Sequence, residues 1–382
     1  LDLTARMLVT DKTRVIVNFE IHDENWATDG YTNQDDRVEE TGRGLDDNIH
    51  FKRVFSSHTF DAYGTVLDLG LMTGGAWATG FGDNARGKYR VKIAQPTELG
   101  PVIGIYEKNA EIGSGGEDFE KDDGNAYYLA MVTKLGDFNL MPLIGYVDAS
   151  NAVRDAGSDG IQQILFLLGA NATFGDLGFE AEFNYVDVDQ SDFPDAAVPG
   201  GFREDYSMYG IYGNGFWNIG AGKVGLIAAY GSWDDDAGDG FGFGEDFTPT
   251  VFGADWTNIG GNANAGSGNV SGALGRGASE YKAVTLLQLY GSLALSEELS
   301  ISGSGTYWMS NADENEDGTD NYWKDSDGYE IDLGLAWKLT DAVTYTIAAG
   351  FGKISLDDDG TGVVDDSPDG FARAYHKFQI DF

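Results

Sequence analysis

The chain is a long series of strand-length segments in which polarity alternates residue by residue. Phe179, Ala181, Phe183 and Tyr185 alternate with Glu180, Glu182 and Asn184. Tyr329, Ile331, Leu333, Leu335 and Trp337 alternate with Glu330, Asp332, Gly334, Ala336 and Lys338. A period of two puts each set on its own face of a strand. Seventeen such segments can be placed, at roughly 1–10, 13–23, 47–57, 63–72, 86–95, 101–112, 125–135, 138–149, 160–173, 178–188, 205–219, 223–233, 279–295, 299–309, 328–339, 342–354 and 370–382.

The connections alternate as well. Short ones at Asp11-Lys12-Thr13, Gly136-Asp137, Gly175-Asp176, Gly220 to Lys223, Ser296 to Glu298 and Thr340-Asp341 have the composition of tight hairpin turns. Long ones at roughly 24–46, 113–124, 149–159, 189–204, 234–278, 310–327 and 355–369 hold most of the Asp and Gly. About ten residues per strand, tilted, crosses a hydrocarbon layer. Short turns on one rim and long loops on the other are the layout of a transmembrane antiparallel β-barrel. The expected fold is therefore all-β, a single barrel domain over 1–382, with about 16–18 strands. The first segment runs into a short turn, and barrels of this kind have an even strand number. One further strand before Leu1 is the expectation.

The last strand carries Phe378, Ile380 and Phe382 on one face and stops there. It resembles the C-terminal strand of bacterial outer-membrane barrels, in which the terminal aromatic is read by the barrel-assembly machinery. With the loop pattern, nearly the whole chain resembles a bacterial porin, by architecture rather than by a sequence motif. The resemblance implies a water-filled pore for ions and small hydrophilic solutes in the outer membrane of a Gram-negative bacterium. It also implies surrounding lipid and lipopolysaccharide, and a homotrimer. In porins an early loop folds into the lumen, and Leu69 to Asn84, apolar at Ala76-Trp77-Ala78, is the candidate here (69–85). The connection at 234–278 is a long extracellular loop that could serve as a lid instead.

Arg86, Lys88, Arg90 and Lys92 recur at every second position, with Tyr89, Val91 and Ile93 between them. Charge facing lipid costs roughly 2–4 kcal/mol per residue, so the basic row should face the lumen. The row looks like the basic ladder of porins. Arg6, Arg14 and Lys52 are candidates for the same wall, and Asp68, Asp83, Glu180 and Glu182 for the acidic counterparts. Net charge is −39, mostly in the loops, so the mouth should attract cations while the row favours anions. Phe174, Phe179, Tyr185, Tyr206, Trp217, Trp308, Tyr329 and Trp337 read as aromatic belts at the membrane interfaces.

Asp313, Asn315 and Asp317, followed by Gly318, match the first half of a calcium-loop pattern. The twelfth position is Lys324 rather than Glu. Asp357, Asp359 and Asp366 form a weaker variant. No cofactor is required by the sequence, and calcium at these loops is the one candidate.

Zero Cys excludes a disulfide framework, thiolate metal sites and covalently attached c-type haem. The acidic balance argues against nucleic acid as a partner. Neither a HExxH, a phosphate-loop nor a GxSxG motif occurs. The one local cluster, His58 near Ser56, Ser57 and Asp61, has turn composition, so an enzyme is not expected. The alternatives to a general porin are a substrate-selective channel and a surface-binding or structural barrel acting through its long loops.

Overall fold

A computed structural model describes residues 2–21, 49–73, 77–82, 87–110, 124–149, 161–189, 205–235, 239–243, 247, 283–313, 324–355 and 370–380. The strands are β1 (Asp2–Leu8), β2 (Thr13–Ile21), β3 (Ile49–Thr59), β4 (Val66–Thr73), β5 (Gly87–Gln95), β6 (Val102–Ala110), β7 (Gly124–Met131), β8 (Thr133–Leu135), β9 (Phe138–Ala149) and β10 (Ile161–Phe174). They continue as β11 (Leu177–Asp189), β12 (Tyr206–Ile219), β13 (Gly222–Gly231), β14 (Trp233–Asp234), β15 (Asp239–Gly240), β16 (Val284–Ala294), β17 (Leu299–Ser310), β18 (Asp327–Thr340), β19 (Val343–Ser355) and β20 (Phe371–Ile380).

All but β14 and β15 belong to one 18-stranded sheet. β7 and β8 are two pieces of one path, both paired with β9. The chain therefore passes through the sheet seventeen times, each pass antiparallel to the next, from β1 on β2 to β19 on β20. Eight connections are short and eight long, in strict alternation. At Gly175 the two-residue turn needs φ +62°, which a side chain would oppose. No helix among the described residues is long and apolar enough to cross a membrane.

One face of the sheet is apolar from end to end. Ile144, Ile164, Ile211, Leu226, Leu289, Ile331, Leu333 and Ile347 all stand exposed on it. An apolar surface of this extent is unfavourable in water and suited to lipid. Aromatic rings bound it on both sides: Tyr127, Tyr146, Tyr185, Tyr209 and Tyr329 toward the long loops, and Phe138, Phe174, Trp217, Trp337 and Phe378 toward the short turns. From Tyr329 to Trp337 is eight residues, roughly 27 Å along the strand and about 20 Å once tilted, close to the usual apolar band. Phe378 packs on Tyr345 across the last pair, with ring centroids 4.4 Å apart. Ile380 pairs with Val343, and Phe382 lies outside the described residues.

Two aromatics expected in the belts are not there. Trp308 is 1% exposed and belongs to an apolar cluster on the opposite, inner face, and Tyr206 packs against that cluster. Alternation assigned them a strand, but the apolar material inside the sheet decided their side.

Candidate channel constriction

Residues directly opposite each other in antiparallel strands share a face, so register carries a face around the wall. Arg90 lies opposite Glu107, then Ala126, Val147, Gln163 and Val188 in successive strands. Val188 is on the side of β11 that holds Glu182 and Glu180, opposite the apolar band. The basic row of β5 is therefore on the inner face, while Tyr89 and Ile93 are exposed on the outer one.

Arg90 and Lys92 do not stand alone there. Arg90 is paired with Glu107, with Nε and Nη2 each 2.5 Å from Oε2. Lys92 Nζ lies 3.4 Å from Asp68 Oδ2. The neighbouring strands extend the wall: Arg14 is opposite Ser57 and Ser57 opposite Asp68, Arg6 is opposite Ile16, and Arg53 is opposite Asn18. Lys52 is the extra residue of a bulge between the Asn18–Arg53 and Phe19–Phe51 pairs. Arg86 and Asp83 lie outside the described residues. Sequence reading missed Glu107 and Arg53, although counting the β5–β6 register back from the turn at 96–101 gives the Arg90–Glu107 pair.

Glu180 and Glu182 have a different place. The connection from β4 to β5 leaves its own wall and reaches β9 to β12. Trp77 Nε1 donates to the Met141 carbonyl oxygen at 2.9 Å. Ala78 seats against β10 at Gly169, where an added Cβ would fall 1.9 Å from the Ala78 Cβ. Glu182 is 2% exposed. Its Oε2 accepts from Thr79 N at 2.9 Å and Thr79 Oγ1 at 2.5 Å, and its Oε1 from Gly82 N at 3.2 Å and Asn184 Nδ2 at 2.8 Å. These donors surround the carboxylate, so it serves the strap rather than the open lumen.

Phe81 is 0% exposed and stacks on Tyr212 at 5.4 Å. The Tyr212 hydroxyl donates to Glu180 Oε1 at 2.6 Å, and Asn214 Nδ2 donates to the same oxygen at 3.0 Å. Phe241, Phe243 and Phe247, from the connection between β15 and β16, close on Phe81 at 5.6, 4.8 and 5.5 Å. The early loop and part of the long one thus meet inside the sheet, at one ring. Burying these rings together removes from water an apolar surface that neither loop could hide alone.

The result is a strap whose described residues, 77–82, lie against the β9–β12 side of the inner face. The basic wall of β1–β5 faces that space. Arg6, Arg14 and Arg53 remain exposed there. Of the candidate calcium ligands, Asp313 forms an ion pair with Lys324. Asn315, Asp317, Asp357, Asp359 and Asp366 lie outside the described residues.

No family model and no curated protein matches the chain. Among solved structures, OccK2 (OpdF) of Pseudomonas aeruginosa is similar at 8% identity and TM-score 0.51, over 99% of this chain and 91% of that one. The outer membrane channel DcaP of Acinetobacter baumannii aligns at 8% identity and TM-score 0.41, over 99% and 84% of the two chains. OmpT, an outer membrane protein of Vibrio cholerae, aligns at 13% identity and TM-score 0.40, over 99% and 88%. With the strand order, the loop alternation and the likeness to OccK2, the fold is that of a porin-like outer-membrane β-barrel, of no assigned subfamily.

Proposed function

We propose that this protein forms a water-filled channel in the outer membrane of a Gram-negative bacterium and passes ions and small hydrophilic solutes by passive diffusion. One observation carries the reading: cationic side chains, Arg6, Arg14 and Arg53 among them, stand exposed on the inner face, behind an apolar outer face. Unneutralised charge is stable there only with water around it, and water running along the inside of a membrane barrel is a pore. Lipid and lipopolysaccharide contact the outer band in this reading. The C-terminal strand serves assembly, and the channel works as a homotrimer.

The test is conductance of the purified chain in a planar bilayer, with the reversal potential read under a salt gradient. Stepwise conductance is expected. Glu107→Gln removes the acid facing Arg90 and should move the reversal potential toward anion selectivity, because the inner wall then carries one negative charge fewer. A folded barrel that passes no current would overturn the proposal.

A further inference from the structure

We infer that Glu182 is the positioning residue of the constriction: a clasp on the far wall that fixes how far the strap reaches and so sets the width of the pore. The inference rests on the channel reading above. Sequence spacing makes Glu182 one more acidic residue on an inner face, but the geometry gives it another task. Three of its four donors come from the strap, at Thr79 N, Thr79 Oγ1 and Gly82 N. The fourth, Asn184 Nδ2, belongs to its own strand. A carboxylate can satisfy all four because both oxygens only accept. An amide cannot, because one side of it would turn N–H donors toward N–H and O–H donors.

The rest of the wall is shaped to the same strap. Gly169 leaves the space that Ala78 fills, and Tyr212, held by Glu180, gives Phe81 a flat surface. Phe241, Phe243 and Phe247 press on Phe81 from the other connection. The strap is thus gripped at four points: the Trp77 indole on the Met141 carbonyl, a seat at Ala78, a clasp at Thr79–Gly82, and a ring clamp at Phe81. The clasp is the charge-assisted one of the four and takes three strap donors at once, so it sets position most strongly.

Two readouts on the full-length protein test this. Amide exchange followed by mass spectrometry reads the strap itself, and single-channel recording reads the pore. In Glu182→Ala, Thr79 and Gly82 amides should exchange about tenfold faster, the loss expected when charge-assisted hydrogen bonds are removed. Mean conductance and open-channel noise should both rise. Gly169→Ala, which pushes on Ala78 from the wall, should alter both readouts. Gly213→Ala places its Cβ in open space on the same sheet and should alter neither.

Should Glu182→Ala fail to fold, the Thr79 pair decides. Thr79→Val loses the hydroxyl and should behave as a weaker release, whereas Thr79→Ser keeps it and should match wild type. Unchanged exchange in folded Glu182→Ala overturns the clasp. Faster exchange with unchanged conductance overturns its control of the pore and leaves the channel intact. A wild-type barrel without conductance overturns the channel reading and the control of width together, while exchange still reports whether Glu182 holds the strap.

Discussion

Phe81→Ala should lower the stability of the folded barrel by about 3–5 kcal/mol, as deletion of a fully buried ring does. The ring is 0% exposed and meets Tyr212, Phe241, Phe243 and Phe247. Alanine leaves a cavity at the point where the described parts of the two inward connections join, and each then loses the surface the other was covering. Denaturant unfolding in detergent or bilayers measures the loss. Phe179→Ala makes the contrast: that ring is 40% exposed on the lipid side, so its removal opens no protein cavity and should cost clearly less. Equal losses would mean that the cluster around Phe81 contributes no more than a lipid-facing ring.

The second large effect concerns the outer face. Leu333 is 69% exposed, midway between Tyr329 and Trp337 along β18. Leu333→Arg puts a guanidinium near the bilayer midplane and should cost roughly 2–4 kcal/mol. Ser302→Arg, at an exposed inner-face position of β17 opposite Gly334, should cost little, because the charge meets lumen water. The pair reads the sidedness of the alternation directly: similar costs at both positions would contradict an apolar outside and a wet inside.

Much of this architecture was legible in the residues. The seventeen segments correspond to the seventeen passes through the sheet, and the stretch at 178–188 became Leu177–Asp189 with the expected alternation intact. A strand with one face in lipid and the other in water writes its period into the sequence, and a two-residue turn needs Gly or Asp wherever it falls. The facing of Lys88, Arg90 and Lys92 was equally readable, because charge on the lipid side is costly enough to choose its face.

What alternation cannot show is what crosses the lumen. Glu182 meets Thr79 at a separation of 103 residues, a contact that depends on how far the strap reaches and not on any local pattern. Trp308 and Tyr206 went the same way: an aromatic at a strand end suits a membrane belt, and only the apolar cluster inside the sheet draws these two inward. Lys52 shows the limit of parity itself, since the bulge at that residue shifts the register on which its facing was judged.

Swelling of liposomes that hold the purified protein, with neutral sugars of increasing size outside, is the most direct test of a strap-narrowed, water-filled pore. Neutral solutes remove the effect of the charged wall and loops and leave size alone. Rapid entry of the smallest sugars, with rates that fall steeply as size increases, is the expected result. Absence of entry from vesicles that contain correctly folded barrel, or entry independent of size, would contradict it.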